Sequence, residues 1–262
     1  MSLAVILGSA AQAAGLRQAN STTSAHDEHI RGTRHHTAAP VRWHGGPLQH
    51  HPRVYLVFWG PLWGADAVHQ KVRASEEAVI RGIDRSPYSQ ILTQYYDNHG
   101  HVGNDVTLAG VWLDAAAPRG DVSRNSALAG EAARATRVNK WVTTADTQFI
   151  ILTQRGSQGA LQDWCGFHDY ANSGGHRYIF SLVPFLEPYG ARSQCGGPDL
   201  TRAMTTTTTH EFAETVTDPI NRGWYGVDGG DEIGDRCDRG AVVRGVWVQQ
   251  IWSAHTRRCT AG

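Results

Sequence analysis

The chain has 262 residues, and its 24 basic and 24 acidic side chains cancel to zero formal net charge. That balance excludes a strongly basic nucleic-acid or anionic-membrane binder, and no run of about 18 apolar residues exists to span a bilayer. Hydrophobic residues make up 40 % of the chain, enough for a sizeable core, while 29 glycines and 10 prolines point to many turns rather than a helical bundle.

The first 14 residues, MSLAVILGSAAQAA, read as a leader. A short apolar stretch is followed by small residues, with Ala11-Gln12-Ala13 resembling a cleavage site, although the basic start of a secretory signal is missing. Residues 15–40 are polar and aperiodic and read as a disordered linker, with His26, His29, His35 and His36 solvated.

A single domain is expected over 41–262. Arg53–Trp59 reads as a buried strand stopped by Gly60-Pro61. Helices are expected over 65–84 and 87–97, the first with Val68, Val72, Val79, Ile80 and Ile83 on one face. Strands are expected over 105–113, 148–153, 177–183 and 242–252, and helices over 121–141 and 199–218. The alternation predicts an α/β domain with a mixed sheet and an irregular, disulfide-linked C-terminal part.

Four cysteines, Cys165, Cys195, Cys237 and Cys259, lack a CxxC spacing and so do not suggest a zinc site. Of three pairings, Cys165–Cys195 and Cys237–Cys259 close the shorter loops and are expected, which implies an oxidising compartment and a secreted protein.

The chemically informative stretch runs from Thr205 to Cys237. It contains His210-Glu211-Phe212-Ala213-Glu214. On a helix His210 and Glu214 share a face, as a metal-ligand pair must. Glu211 lies ~100° round the axis, where the H-E-x-x-H motif places the general base of a metal-activated water. Asp218-Pro219 ends the helix, a glycine-rich turn follows, and Glu232 returns as the third zinc ligand, with Asp235 the alternative, an arrangement similar to metallopeptidases of the thermolysin type. Asp235 is placed behind His210 as its orienting acceptor. His168 in CGFHDY and Tyr225 in GWYG are candidate oxyanion donors. One Zn²⁺ per chain is the expected cofactor, with Ca²⁺ an alternative at the acidic loop Asp228–Asp235, where Asp231 and Glu232 add oxygen ligands. The threonine run 205–209 fits either a helix buried between layers, with hydroxyls bonding back to i−4 carbonyls, or a solvated face.

The segments WHGGPLQHHPRVYLVFWG, CGFHDY, HEFAETVTDPINRGWYG with EIGDRC, and VWVQQIWSAHTRRC occur in that order. Together they resemble the phosphate-induced protein 1 (EXORDIUM-like) family. His210, Glu211, Glu214, Pro219, Trp224, Tyr225, Glu232, Asp235 and Cys237 fall on matching positions, whereas Asp218 stands where plant members usually carry Asn. The resemblance implies an extracellular or cell-wall protein without implying an activity.

The ligand geometry argues for a zincin-like, secreted zinc metallopeptidase. It would be a monomer acting on peptide or protein. Two alternatives stand beside it: a non-catalytic extracellular protein binding a cell-wall component or receptor, and a metal-free glycoside hydrolase using Glu211 with a second carboxylate. No G-x-S-x-G elbow, P-loop or GxGxxG is present.

Overall fold

The computed structural model describes residues 40–159, 164–187, 195–227 and 230–262. The leader, nearly all of the linker with its histidines, and Asp228 of the acidic loop lie outside the described residues.

The fold is mixed α/β. Strands β1 (Val41–Trp43), β2 (Arg53–Trp59), β3 (Tyr96–Asp97), β4 (Gly100–His101), β5 (Thr107–Asp114), β6 (Thr147–Thr153), β7 (Phe167–Ser173) and β8 (His176–Pro184) are followed by β9 (Trp224–Gly226), β10 (Gly240–Val243), β11 (Val246–Gln249), β12 (Ile251–Ser253) and β13 (Arg258–Thr260). Helices are α1 (Leu62–Ala65), α2 (Ala67–Ile83), α3 (Pro87–Leu92), α4 (Asn125–Asn139) and α5 (Leu200–Thr217). A five-stranded sheet, ordered β5-β2-β6-β8-β7, forms the centre; its first four strands are parallel and β7 runs antiparallel on the edge.

Because side chains alternate along a strand, the sheet feeds two cores. Val54, Leu56 and Phe58 of β2 face α2, α3 and α5, while Tyr55, Val57 and Trp59 face α4 through Leu128, Ala129, Ala132 and Ala135. Near-continuous apolar strands such as β2 and β6 are what a sheet covered on both faces requires.

Several boundaries differ from those expected. Asp66 accepts hydrogen bonds from the amides of Val68 and His69, so α2 starts after it and a short α1 precedes it. Val68 is exposed, and the buried face of α2 takes in His69 and Glu76. The helix expected over 87–97 stops at Leu92, and Tyr96 begins a hairpin with His101. CGFHDY carries an unforeseen strand, β7. The strand expected over 242–252 is broken: Arg244 and Gly245 both have positive φ, 48° and 83°, forming the two-residue turn that folds β10 onto β11.

The disulfides are Cys165–Cys195 and Cys237–Cys259, the pairing that loop length favours, with Cα atoms 5.4 and 5.6 Å apart. They suit an oxidising compartment. No helix among the described residues is long and apolar enough to cross a membrane.

Helix α5 packs against α2, β8 and the β10–β11 hairpin, and every residue from Ala203 to Thr217 is buried. A helix covered on all sides cannot be amphipathic, and the threonine run follows from that. Thr209 Oγ1 donates back to the Thr205 carbonyl (2.8 Å) and accepts the amide of Gln249 (3.0 Å). Thr206 Oγ1 accepts the indole N–H of Trp247 at 2.9 Å. Small hydroxyls thus let the hairpin approach the helix closely and bond to it.

Candidate metal centre

Helix α5 begins at Asp199, whose carboxylate caps the Arg202 amide, and ends where Pro219 cannot extend it. Asp218 serves that end as a turn residue, accepting the amides of Arg222 and Gly223 at 2.5 and 2.6 Å. The last turns carry His210, Glu211 and Glu214, each no more than 2 % exposed.

His210 Nε2 lies 3.0 Å from Glu214 Oε2, as the i,i+4 spacing requires. The other oxygen of Glu214 is fixed by backbone: the amides of Gly234 and Asp235 donate to Oε1 at 3.2 and 3.0 Å. The returning segment therefore docks on the helix through its main chain. A Cβ on Gly234 would stand 2.8 Å from both Glu214 Oε1 and His210 Nδ1, so only glycine fits that contact.

The sequence placed Glu232, or alternatively Asp235, as third ligand and otherwise set Asp235 behind the imidazole; in the structure the two carboxylates face different histidines. Asp235 Oδ1 lies 3.5 Å from His210 Nε2, on the same side of the ring as Glu214. Glu232 instead reaches His168 on β7, with Oε1 3.3 Å from His168 Nε2. The group behind His210 is Gln249 of β11, whose Oε1 is 3.1 Å from Nδ1. Sequence reasoning missed Gln249; its one trace is a polar residue closing the apolar run VWV on a strand.

Two clusters of ligand atoms result, His210–Glu211–Glu214 and His168–Glu214–Glu232, each with one atom per residue mutually within 4.8 Å. Glu211 Oε1 and Glu232 Oε2 are buried and accept no hydrogen bond from any described residue. Glu211 is hemmed in by Gly166, where a Cβ would come within 2.8 Å of Oε1.

The electrostatics follow from burial. Burial alone depresses the His210 pKa, but Glu214, Glu211 and Asp235 override it and raise it to about 10. Burial would raise Glu214, yet the imidazole beside it holds it below the ordinary carboxylate range. Glu211 is pushed well up by burial, against His210 and with Glu214 and Asp235 adding to the rise. Glu232 is raised by burial and then by Glu214, Asp218, Asp235 and Glu211. Burial lowers His168, with Glu214 and Asp169 opposing.

These groups suit a divalent cation. A borderline imidazole nitrogen beside hard carboxylate oxygens is a donor set zinc takes, and buried carboxylate oxygens that accept no hydrogen bond from a described residue need positive charge. Tyr225 stacks on His44 with ring centroids 3.5 Å apart, and burial followed by Asp218 and Glu232 raises its pKa. Of the acidic loop, Glu232 and Asp235 turn inward to the histidines.

Comparisons with protein-family models, curated proteins and solved structures found no match.

Proposed function

We propose that this chain is a secreted, zincin-like metallopeptidase whose zinc is held by the His210–Glu214 pair. The observation that carries the reading is the facing pair His210 Nε2 and Glu214 Oε2, with the ring's other nitrogen already committed to Gln249. A bare imidazole lone pair cannot face a carboxylate in a buried site; a proton or a metal must lie between them. The zinc would supply Lewis acidity toward water and a peptide carbonyl.

Within the chain, Glu211 is the general base. It is adjacent to the ligand pair, belongs to the His210–Glu214 cluster, and has an oxygen that accepts no hydrogen bond from any described residue. It takes the proton of the attacking water and hands it to the departing amine, a role that suits a carboxyl whose proton affinity is raised by burial. His168 and Tyr225 are the polar groups offered to the carbonyl oxygen as its charge develops. The two disulfides support secretion.

A second reading draws on burial. Glu211 is 1 % exposed, which favours a structural metal in a non-catalytic extracellular protein that binds a cell-wall component. Glu211→Gln separates the two. In the peptidase it removes proton transfer and lowers hydrolysis of a casein or peptide-library substrate by about 10²–10⁴-fold with zinc retained. Peptide hydrolysis unchanged by the substitution would sink the assigned role of Glu211. No hydrolysis by the zinc-loaded parent chain would favour the binding protein.

A further inference from the structure

We infer that Glu214 is shared by two divalent cations, the second held by His168 and Glu232. The inference rests on the metal reading of the His210 cluster and extends it to a dinuclear centre, in which His168 is a ligand and the oxyanion role is left to Tyr225.

The geometry separates the ligands into two groups. Metal–ligand bonds of ~2.0–2.2 Å at a tetrahedral ion set neighbouring ligand atoms roughly 3.3–3.5 Å apart. His168 Nε2 and Glu232 Oε1 stand 3.3 Å apart, within that spacing, and His210 Nε2 and Glu214 Oε2, at 3.0 Å, need only a slight separation to reach it. The two histidines nevertheless fall in different clusters, and Glu214 is the residue common to both. Glu214 Oε1 is taken by the amides of Gly234 and Asp235, so Oε2 is the oxygen the two ions would share; an ion separation of about 3.5–4 Å is that of two-metal hydrolytic sites.

Charge points the same way. Glu211, Glu214, Glu232 and Asp235 place four carboxylates around two imidazoles. One divalent ion leaves half of that negative charge uncompensated in a buried site, whereas two balance it with both histidines neutral. Glu232 Oε2 is buried and accepts no hydrogen bond from any described residue, although its neighbour Oε1 faces His168.

The fold holds the second pair as firmly as the first. The Glu232 backbone amide donates to Asp235 Oδ2 at 3.0 Å, fixing the Asp235 carboxylate against the main chain of the returning segment. His168 is in register with Ser181, whose hydroxyl meets that of Thr215 on α5 at 3.2 Å, so β7 is carried over the helix by β8. Each pair joins one imidazole to carboxylates, which selects zinc or manganese over calcium.

The test is metal counting with zinc alone, on the full chain, stripped and then equilibrated with excess Zn²⁺ before desalting. The unaltered chain is expected to hold about two zinc ions and His168→Asn, judged folded by circular dichroism, about one. Manganese loading of the unaltered chain, which needs no variant, should give the paramagnetic resonance spectrum of a spin-coupled pair. One ion per chain, lost in His210→Ala but kept in His168→Asn, or an uncoupled manganese spectrum at one equivalent, overturns the dinuclear site and leaves the proposed peptidase intact. No bound zinc in the unaltered chain overturns both.

Discussion

Gln249 determines which nitrogen of His210 faces the carboxylates. Its amide nitrogen donates to the carbonyls of Gly234, at 2.8 Å, and of Cys237. Those two bonds orient the amide, so its oxygen is turned to His210 Nδ1 and that nitrogen carries the hydrogen. In a neutral ring the lone pair is then on Nε2, beside Glu214 and Asp235. One side chain thereby ties the hairpin, the returning segment and the ligand helix to a single tautomer.

Gln249→Leu keeps most of the volume and removes the acceptor. Zinc affinity is expected to fall about 10–100-fold, the usual effect of losing such an outer partner. Competition with a chromogenic chelator measures it; unchanged affinity would show that His210 needs no orienting group.

Gly234→Ala tests the close approach of the returning segment. The added Cβ meets Glu214 Oε1 and His210 Nδ1 at 2.8 Å, so the segment must move and the two amide bonds to Glu214 lengthen. Metal binding should weaken more than in Gly245→Ala, where a Cβ meets nothing within 4 Å and only the turn is strained. Isothermal titration with zinc compares them.

The metal-free protein should lose stability on the alkaline side. The folded pKa of His210, about 10, exceeds its ordinary 6.5. Protonation therefore favours the fold: the contribution is complete below about pH 6.5 and disappears as pH rises through about 10. Urea melts of stripped protein between pH 6 and 10 should show this decline, and His210→Gln should flatten it.

Glu76 presents the opposite case, a buried carboxyl whose oxygens pair with no described residue. It is fully buried on α2, and burial raises its pKa from 4.5 to about 8. The fold prefers the neutral acid, so its contribution falls as pH climbs from about 4.5 towards 8. Glu76→Met should stabilise the chain at pH 7, by on the order of 3 kcal/mol at most. A chemical melt gives the sign directly.

The threonines of α5 should not be equivalent. Thr207 Oγ1 has no hydrogen-bond partner among the described residues, whereas Thr209 Oγ1 bonds both the helix and the hairpin. Thr209→Val leaves the Gln249 amide unpaired and should cost about 1–3 kcal/mol. Thr207→Val should be neutral or stabilising in the same denaturation assay.

What could be read from the chain was what is local. Apolar runs revealed β2, β6 and β8, and the i,i+4 pair His210–Glu214 was visible because helical spacing alone brings it together. β7 escaped because FHDYANS is half-buried and polar, without the apolar run or alternation that marks a strand. The partner of Glu232 was hidden for the same reason: His168 comes from an edge strand far away in sequence, and sheet register brings it to the helix. Gln249 required knowing that the positive-φ pair Arg244–Gly245 turns β11 back along β10, beside α5.

The enclosure of α5 bears on time as well as on affinity. The helix is covered by the sheet, α2 and the hairpin, and His210 is 1 % exposed, whereas Glu232 and Asp235 on the returning segment keep some exposure. An ion that left only when the β10–β11 hairpin lifted would be removed at a rate independent of chelator concentration. Release past the returning segment would instead quicken as chelator is added, so the concentration dependence of chelation tells which side of the helix the ion uses.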